Sequence, residues 1–263
     1  MPYMSHGGLN KYLSSDFKKI TWKMKLNFLR HIVKGIKWIH ENKIIHRDIH
    51  GGNILINIVK SNNSDYSESF VADLGFSRPA KEDPKNSEIY GIMPYVAPEV
   101  FRKKQYSFSS DIYSLGMIMW ELTSGYRPFC DRAYDVDLVL NICDGLRPEI
   151  TDDTPQCWAI LMQKCWCSEP LERPSISEIY FEINSRYWNV DKMFTEAENK
   201  RKELFKSGKF IAKHKHPHSK THSKLLTPTI DSSLSILHRK PKFSTPGSVN
   251  SFQNIGSDSF YIM

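Results

Sequence analysis

The stretch IIHRDIHGGNILI, residues Ile44–Ile56, organises the rest of this sequence. Within it, Asp48 and Asn53 stand on either side of a pair of glycines. The preceding segment, Lys25–His40, has apolar residues spaced three and four apart, which is typical of an amphipathic helix. The segment Ile54–Ile58 that follows is a short apolar run typical of a strand. The pattern therefore predicts a polar loop between a helix and a strand, with an acid and an amide turned toward one point.

This loop carries groups suited to accepting a proton and to binding a metal ion. A carboxylate at Asp48 can orient a hydroxyl nucleophile and accept its proton. The side-chain oxygen of Asn53 is a hard ligand suited to Mg²⁺. Further along, Asp73 supplies another hard oxygen, and Gly75 permits a sharp turn of the chain. The acid, the amide and the second acid, in this order, predict a catalytic site.

Helical patterns dominate the remainder of the first 186 residues. The stretch Asp111–Leu122 is apolar on both faces, which predicts a helix buried all round. Two further helical stretches follow, at Trp158–Trp166 and Ile176–Ile183. The run Phe70–Ala72 can pair with Ile54–Ile58 as a hairpin across a long polar linker. We therefore expect a mainly α domain with a short β hairpin.

The order of these motifs resembles that of the protein kinases. His46-Arg47-Asp48 with Asn53 matches the kinase catalytic loop, and Asp73-x-Gly75 and Ala97-Pro98-Glu99 follow in the kinase order. The segments SDIYSLGMIMWEL (Ser110–Leu122) and CWCSEPLERPS (Cys165–Ser175) are similar to later kinase elements. The details are most similar to the tyrosine-kinase-like branch. The resemblance covers residues 1–186 and implies the C-terminal lobe of the protein-kinase-like fold.

The resemblance implies ATP-dependent phosphoryl transfer to a protein hydroxyl, with ATP and Mg²⁺ as cofactors and a protein as substrate. Asp48 would then position the acceptor hydroxyl. Asn53 and Asp73 would hold Mg²⁺, with Asp73 bridging the metal to the phosphates of ATP. Leu55 would form an apolar floor under adenine, and Met4 would offer its backbone N–H at the hinge.

The resemblance also implies structural and regulatory residues. Glu99 should pair with Arg173 in the interior, and Asp111 should accept hydrogen bonds from the backbone around His46 and Arg47. In many kinases the residue at Arg47 reads phosphorylation of the activation loop. The candidate phosphorylation sites of that loop are Ser77, Ser87 and Tyr90, and the alternative for each is an unmodified polar residue.

Two departures from the kinase pattern leave the function partly open. His50 and Ile92 stand where serine/threonine kinases usually carry Lys and Thr, so the preference for Ser/Thr or Tyr is undecided. The residues before His46 contain no Gly-x-Gly-x-x-Gly loop and no strand Lys, so the sequence is expected to begin at the hinge, with the N-terminal lobe absent. Weak ATP binding follows from that expectation. The alternative function is a catalytically inactive lobe that acts as an interaction module, or a fragment of a longer kinase.

The net charge of +7 resides in residues 187–263, because residues 1–186 carry equal numbers of basic and acidic residues. We expect a helical extension over 187–209 and a disordered basic tail over 210–263. The tail could attract an acidic partner, and nothing in it indicates a specific nucleic acid. The five cysteines show no paired zinc spacing. No apolar run approaches the ~18 residues of a membrane span. Together these features predict a cytoplasmic protein.

Overall fold

A computed structural model describes residues 6–59, 66–80, 88–185, 192–210, 214–219 and 222–237. The predicted hinge donor Met4 and the candidate phosphorylation site Ser87 lie outside these residues. The described part is mainly helical, with small antiparallel sheets, and it confirms the predicted fold class. None of its helices is both long enough and apolar enough to cross a membrane.

The described residues form helices, short 3₁₀ turns and two-stranded sheets. The α-helices are α1 Leu9–Asp16, α2 Trp22–Glu41, α3 Pro98–Phe101, α4 Phe108–Ser124, α5 Val136–Cys143, α6 Gln156–Cys165, α7 Ile176–Asn184, α8 Met193–Lys206 and α9 Thr227–Leu237. The 3₁₀ turns are Phe17–Lys19, Met93–Tyr95 and Pro170–Glu172. The strands are β1 Ile44–Ile45, β2 Ile54–Val59, β3 Tyr66–Val71, β4 Arg78–Pro79, β5 Tyr90–Gly91 and β6 Lys224–Leu225.

Two long helices, α2 and α4, form the centre of the core. The side chain of Thr21 caps α2 by accepting a hydrogen bond from the N–H of Met24 (3.3 Å). Ser107 and Ser110 form a capping box at the start of α4, and Gly125 ends this helix with a φ of 78°. Every residue of α4 from Ser110 to Ser124 is buried, so the prediction of a helix buried all round is confirmed.

The predicted hairpin is also confirmed, since β2 and β3 pair antiparallel from Ile54 opposite Val71 to Val59 opposite Tyr66. It places the catalytic-loop end of β2 next to the residues that follow β3. The start of α1 is tied to the same region, because the N–H of Ile56 donates to Gly7 O (2.9 Å) and that of Asn10 to Gly51 O (3.2 Å). The hairpin therefore connects three segments that border the candidate site.

The C-terminal region differs from the expectation of disorder. Helix α8 lies within the expected extension and packs on α2, where a Glu198 oxygen accepts from the N–H of Trp22 (2.9 Å). Strand β6 and helix α9 lie within the tail that we expected to be disordered. In residues 222–237, where disorder was expected, Leu226 and Ile230 are fully buried against the lobe. Leu226 and Ile230 are four residues apart, and so narrow an apolar face did not give a recognisable helical pattern in the sequence.

Candidate active site

Asp111, near the start of α4, holds the beginning of the catalytic loop. Its Oδ2 accepts hydrogen bonds from the N–H of His46 (2.8 Å) and from Nε2 of His40 (2.9 Å), while Oδ1 accepts from the N–H of Arg47 (3.0 Å). Arg47 has a φ of 73°, a left-handed conformation that is uncommon for a residue with a side chain. The bonds to Asp111 compensate for this strain, and the loop is therefore anchored to both central helices.

The His46 ring connects the catalytic loop to the end of β3. Its Nε2 lies 3.1 Å from the carbonyl oxygen of Ala72, and its Nδ1 lies 3.4 Å from the backbone nitrogen of Asp48. Since Nδ1 accepts from that N–H, Nε2 carries the ring hydrogen and donates it to Ala72. The ring thus fixes the distance between Asp48 and the residue just before Asp73.

Asp48 is a buried carboxylate with several hydrogen-bond donors around it. It is 5% exposed. The hydroxyl of Ser223 lies 2.9 Å from Oδ1 and 2.8 Å from Oδ2, Asn53 Nδ2 lies 3.3 Å from Oδ2, and His50 Nε2 lies 3.5 Å from Oδ2. Burial by itself would raise the pKa of Asp48, but the bonds from His50 and Ser223 and the nearby His46 outweigh burial and lower it. The ionised form of the Asp48 carboxyl group is therefore favoured.

Asn53 is oriented by Asp48, and its backbone meets the end of β3. Its Nδ2 donates to the carbonyl oxygen of Asp48 (2.9 Å) and to Oδ2 (3.3 Å), which leaves the side-chain oxygen as the atom able to bind a cation. The backbone oxygen of Asn53 accepts from the N–H of Ala72 (2.9 Å), so Asp73 follows directly beside it. The backbones that carry Asn53 and Asp73 are thus adjacent, and both side chains offer hard oxygen atoms of the kind that suits Mg²⁺.

Asp73 is held more loosely than Asp48. It is exposed, has a φ of 65°, and accepts a hydrogen bond at Oδ1 from the N–H of Gly75 (3.1 Å). This hydrogen bond forms an Asx-type turn at Asp73. Leu74, which follows, is 48% exposed.

His50 provides a second polar contact beside Asp48. Its Nδ1 accepts from the N–H of Gly52 (2.9 Å), so Nε2 carries the ring hydrogen. That nitrogen lies 3.1 Å from the hydroxyl oxygen of Ser223. Ile92 is 3% exposed and contributes to the apolar core. At position 50, where serine/threonine kinases usually have Lys, the chain therefore places the N–H donor of the His50 imidazole.

Sequence reasoning missed the buried carboxyl group of Glu121, which lies below the loop. Burial raises its pKa to about 7, and the hydroxyl of Tyr95 donates to it at 2.6 Å. A Cβ on Gly51 would lie 2.5 Å from Oε1 of Glu121 and would overlap Oε2, so any larger residue there would force the Glu121 carboxylate to move. The available signal was the single acid within the otherwise apolar run GMIMWEL.

The structural pair suggested by the resemblance lies in contact. Arg173 donates to both oxygens of Glu99 at 2.7 Å, and both residues are buried. Leu55 lies half-buried in β2 and bridges to Gly8, next to α1.

The two described candidate phosphorylation sites lie near the same loop. The hydroxyl of Ser77 donates to the carbonyl oxygen of His46 (3.3 Å). The hydroxyl of Tyr90 donates to Glu88 (2.9 Å), and its ring stacks on Phe76 at 5.1 Å between centroids. The guanidinium of Arg47 lies over the ring of Tyr106 (4.4 Å), and its predicted role in reading phosphorylation stays a prediction.

Comparison with known families agrees with this geometry. The family model for protein tyrosine and serine/threonine kinases matches residues 1–183. This chain belongs to the protein kinase family. Within this family, the chain is 33% identical over 198 residues to a Dictyostelium discoideum protein named as a serine/threonine-protein kinase, covering 70% of the chain and 11% of that protein.

Two further relatives carry similar names. A protein of Acanthamoeba polyphaga mimivirus, named as a serine/threonine-protein kinase/receptor, is 35% identical over 179 residues, which are 67% of this kinase chain and 10% of that protein. The serine/threonine-protein kinase STY17 of Arabidopsis thaliana is 29% identical over 182 residues, 69% of this chain and 31% of that protein. The kinase chain thus matches about a tenth of the length of the first two relatives.

Proposed function

We propose that this lobe, when completed by an N-terminal kinase lobe, transfers the γ-phosphoryl group of ATP to serine or threonine hydroxyls of proteins. The observation that carries the proposal is the buried Asp48 carboxylate, which a serine hydroxyl contacts at 2.8 Å. A general base must reach the proton that it abstracts at about 2.6–3.2 Å, and Asp48 meets that condition. The names of the relatives as serine/threonine kinases support the choice of acceptor.

Each residue has a defined part in this proposal. Asp48 orients the acceptor hydroxyl and accepts its proton, while Asn53 holds Asp48 through two hydrogen bonds. The oxygens of Asn53 and Asp73 would hold Mg²⁺, which when bound neutralises charge on the phosphates. Arg47 and His46 keep the loop in shape through Asp111. Leu55 is proposed as the apolar floor under adenine, and Met4 is proposed as the hinge donor.

The depth of the site favours a short acceptor side chain. The Oγ of Ser223 reaches Asp48 while the next residue, Lys224, pairs with the backbone of Gly91. A tyrosine at position 223 would place its phenol oxygen a full ring farther from the same backbone, beyond the carboxylate. This geometry supports Ser/Thr as the acceptor, although His50 replaces the usual Lys.

The test uses the full-length protein with Mg-ATP, casein as a Ser/Thr substrate and poly(Glu,Tyr) as a Tyr substrate. We expect transfer to casein, a loss of about 10²–10⁴-fold in Asp48→Asn, and an unchanged melting temperature. The matched control is Asp152→Asn, an exposed carboxylate outside the site. Retained transfer in Asp48→Asn would refute the role of Asp48, and transfer to poly(Glu,Tyr) alone would refute the acceptor class.

The second candidate function, an inactive lobe that binds a peptide, is supported by the chain segment lying over Asp48. The pairing of that segment with β5 and its contact with Asp48 support a surface that accepts an extended peptide. An absence of transfer to either substrate, with wild-type stability, would favour this second function.

A further inference from the structure

We propose that residues 222–230 form an intramolecular substrate segment that lies along β5 and over Asp48, in what we take to be the substrate groove of this lobe, with Ser223 as its phosphoacceptor. The inference rests on the proposed kinase function and names a modification site and a substrate for it. Three sets of contacts carry it: those of the Ser223 hydroxyl, those of the flanking backbone, and those of two buried apolar anchors.

The hydroxyl of Ser223 is held between a base and a donor. Its oxygen lies 2.9 and 2.8 Å from the two oxygens of Asp48 and 3.1 Å from His50 Nε2. Because Nε2 carries the ring hydrogen of His50, it donates to the Ser223 oxygen. The hydroxyl hydrogen is then directed to Asp48. A hydroxyl so held directs its hydrogen at the base and keeps one oxygen lone pair free for attack.

The backbone after Ser223 adds a strand to the lobe. Strand β6 pairs antiparallel with β5, with Leu225 opposite Tyr90 and Lys224 opposite Gly91. The pairing continues through the N–H of Leu226, which donates to Ile89 O (2.7 Å). Strand addition by an extended peptide gives affinity through main-chain bonds and fixes the register of side chains. The register here sets Ser223 opposite the catalytic carboxylate, 175 residues away in sequence.

Both sides of the segment are anchored. Leu226 and Ile230 are fully buried, and helix α9, which begins at Thr227, packs on α5. The hydroxyl of Thr227 accepts from the N–H of Ile89 (3.0 Å). Upstream, the N–H of His216 donates to Cys130 O (2.7 Å). The anchors lie outside the catalytic loop, so the segment is bound as a peptide and not merely drawn in by Asp48.

The transfer step balances with Mg-ATP as co-reactant. The Ser223 oxygen forms a bond to the γ-phosphorus, and the bond from that phosphorus to the β–γ bridging oxygen breaks. ADP leaves with the bond electrons, and the hydroxyl proton passes to Asp48. The product carries about −1.5 to −2 charge beside buried Asp48, so repulsion and desolvation favour release of the segment. Phosphorylation of Ser223 would thus open the groove to other substrates.

The arrangement also indicates a preferred substrate class. Leu226, three residues after the acceptor, is the buried anchor closest to it, whereas Leu225 is 37% exposed. We expect other substrates of this site to carry a serine followed three residues later by a large apolar residue.

The test compares four forms of the full-length protein: wild type, Ser223→Ala, the undocking variant Leu226→Asp/Ile230→Asp, and the control Ser232→Ala. Ser232 is exposed in the same helix, and its hydroxyl donates to Pro228 O (3.0 Å). After incubation with Mg-ATP, mass spectrometry measures phosphate on Ser223 over a range of protein concentrations. Hydrogen exchange of residues 88–92 reports docking, and casein phosphorylation reports activity toward a separate substrate.

We expect Ser223 labelling at a rate per molecule that does not change with protein concentration, because the reaction is intramolecular. The undocking variant should label Ser223 at least tenfold more slowly, exchange residues 88–92 faster, and phosphorylate casein several-fold faster. Ser223→Ala should lose this label while keeping residues 88–92 protected, and Ser232→Ala should behave as wild type.

Distinct outcomes separate the two proposals. Casein phosphorylation without Ser223 labelling would overturn the intramolecular substrate while leaving the kinase function in place. Unchanged exchange at residues 88–92 in the undocking variant would also overturn it, since the segment would not be docked. Labelling that rises with protein concentration would show transfer between molecules and would contradict it. Transfer to neither casein nor Ser223 would overturn the kinase function, and the acceptor role of Ser223 with it.

Discussion

The ion pair between Glu99 and Arg173 offers a direct test of what holds the lobe together. The Arg173 side chain is fully buried, with an exposed fraction of 0%, and donates to both oxygens of Glu99 at 2.7 Å. It also donates to the carbonyl oxygens of Cys167 (2.8 Å), Ser109 (2.9 Å) and Ser168 (3.3 Å). The pair therefore joins the start of α3 to α4 and to the segment before α7.

Replacing Arg173 with alanine would leave a buried carboxylate without its partner and three carbonyl groups without a donor. Removing one member of a buried pair typically costs about 3–5 kcal/mol. We expect the free energy of unfolding to fall by about 4 kcal/mol in Arg173→Ala. With a urea m-value of about 2 kcal/mol per M, the unfolding midpoint should shift by roughly 2 M.

Equilibrium unfolding in urea, followed by the fluorescence of the six tryptophans, measures this change. The control is Lys19→Ala, whose partner is Asp16 at 2.7 Å but whose side chain is 80% exposed, so about 0–1 kcal/mol should be lost. The double variant Glu99→Leu/Arg173→Met removes both charges and should recover most of the stability. A loss below about 1 kcal/mol in Arg173→Ala, or a double variant less stable than the single one, would refute the reasoning.

Two further predictions concern buried groups near α2 and the catalytic loop. Burial lowers the pKa of Lys25 to about 7, below the value of 10.5 for the unfolded chain. Between these two pH values the unfolded state binds more protons than the folded state, so the free energy of unfolding rises with pH from about 7 to 10.5. Urea unfolding at pH 7 and at pH 9 measures this rise, which should be on the order of a few kcal/mol in the wild type and absent in Lys25→Met. The control Lys34→Met, at an exposed position, should keep the rise. Gly51→Ala should lower the melting temperature, with a loss of about 1–3 kcal/mol in the free energy of unfolding, because the Cβ of the alanine would overlap the carboxylate of Glu121. In a Glu121→Ala background the added loss should nearly disappear, and an equal loss in both backgrounds would locate the strain elsewhere.

The sequence was sufficient to predict the residues of the catalytic loop and its immediate supports. Asp48 and Asn53 are five residues apart and lie in one loop, so local spacing brings them together. The contact of Glu99 with Arg173 and that of Asp111 with the loop backbone lie where the resemblance put them. The catalytic and metal-binding roles of these residues stay predictions until activity is measured.

Other parts of the site could not be predicted because they depend on long-range packing. Ser223 is one of many serines in a polar, basic stretch, and no local pattern distinguishes it from its neighbours. Its contact with Asp48 depends on where Leu226 and Ile230 find a buried surface, and that surface is formed by distant segments. His40 was assigned to an amphipathic helix, and its bond to Asp111 appears only when α2 and α4 are packed.

The contrast between buried Asp48 and exposed Asp73 divides the entropic cost of assembling the site into two parts. The side chain of Asp48 loses its rotational freedom when the chain folds, so this entropic cost is part of the free energy of folding and not of ligand binding. Asp73 keeps much of its freedom until a ligand orders it, at about 0.5–1.5 kcal/mol for each side chain immobilised. Nucleotide affinity should therefore respond to changes that stiffen the turn at Asp73–Gly75. The orientation of the Asp48 carboxylate should instead depend on the stability of the whole lobe.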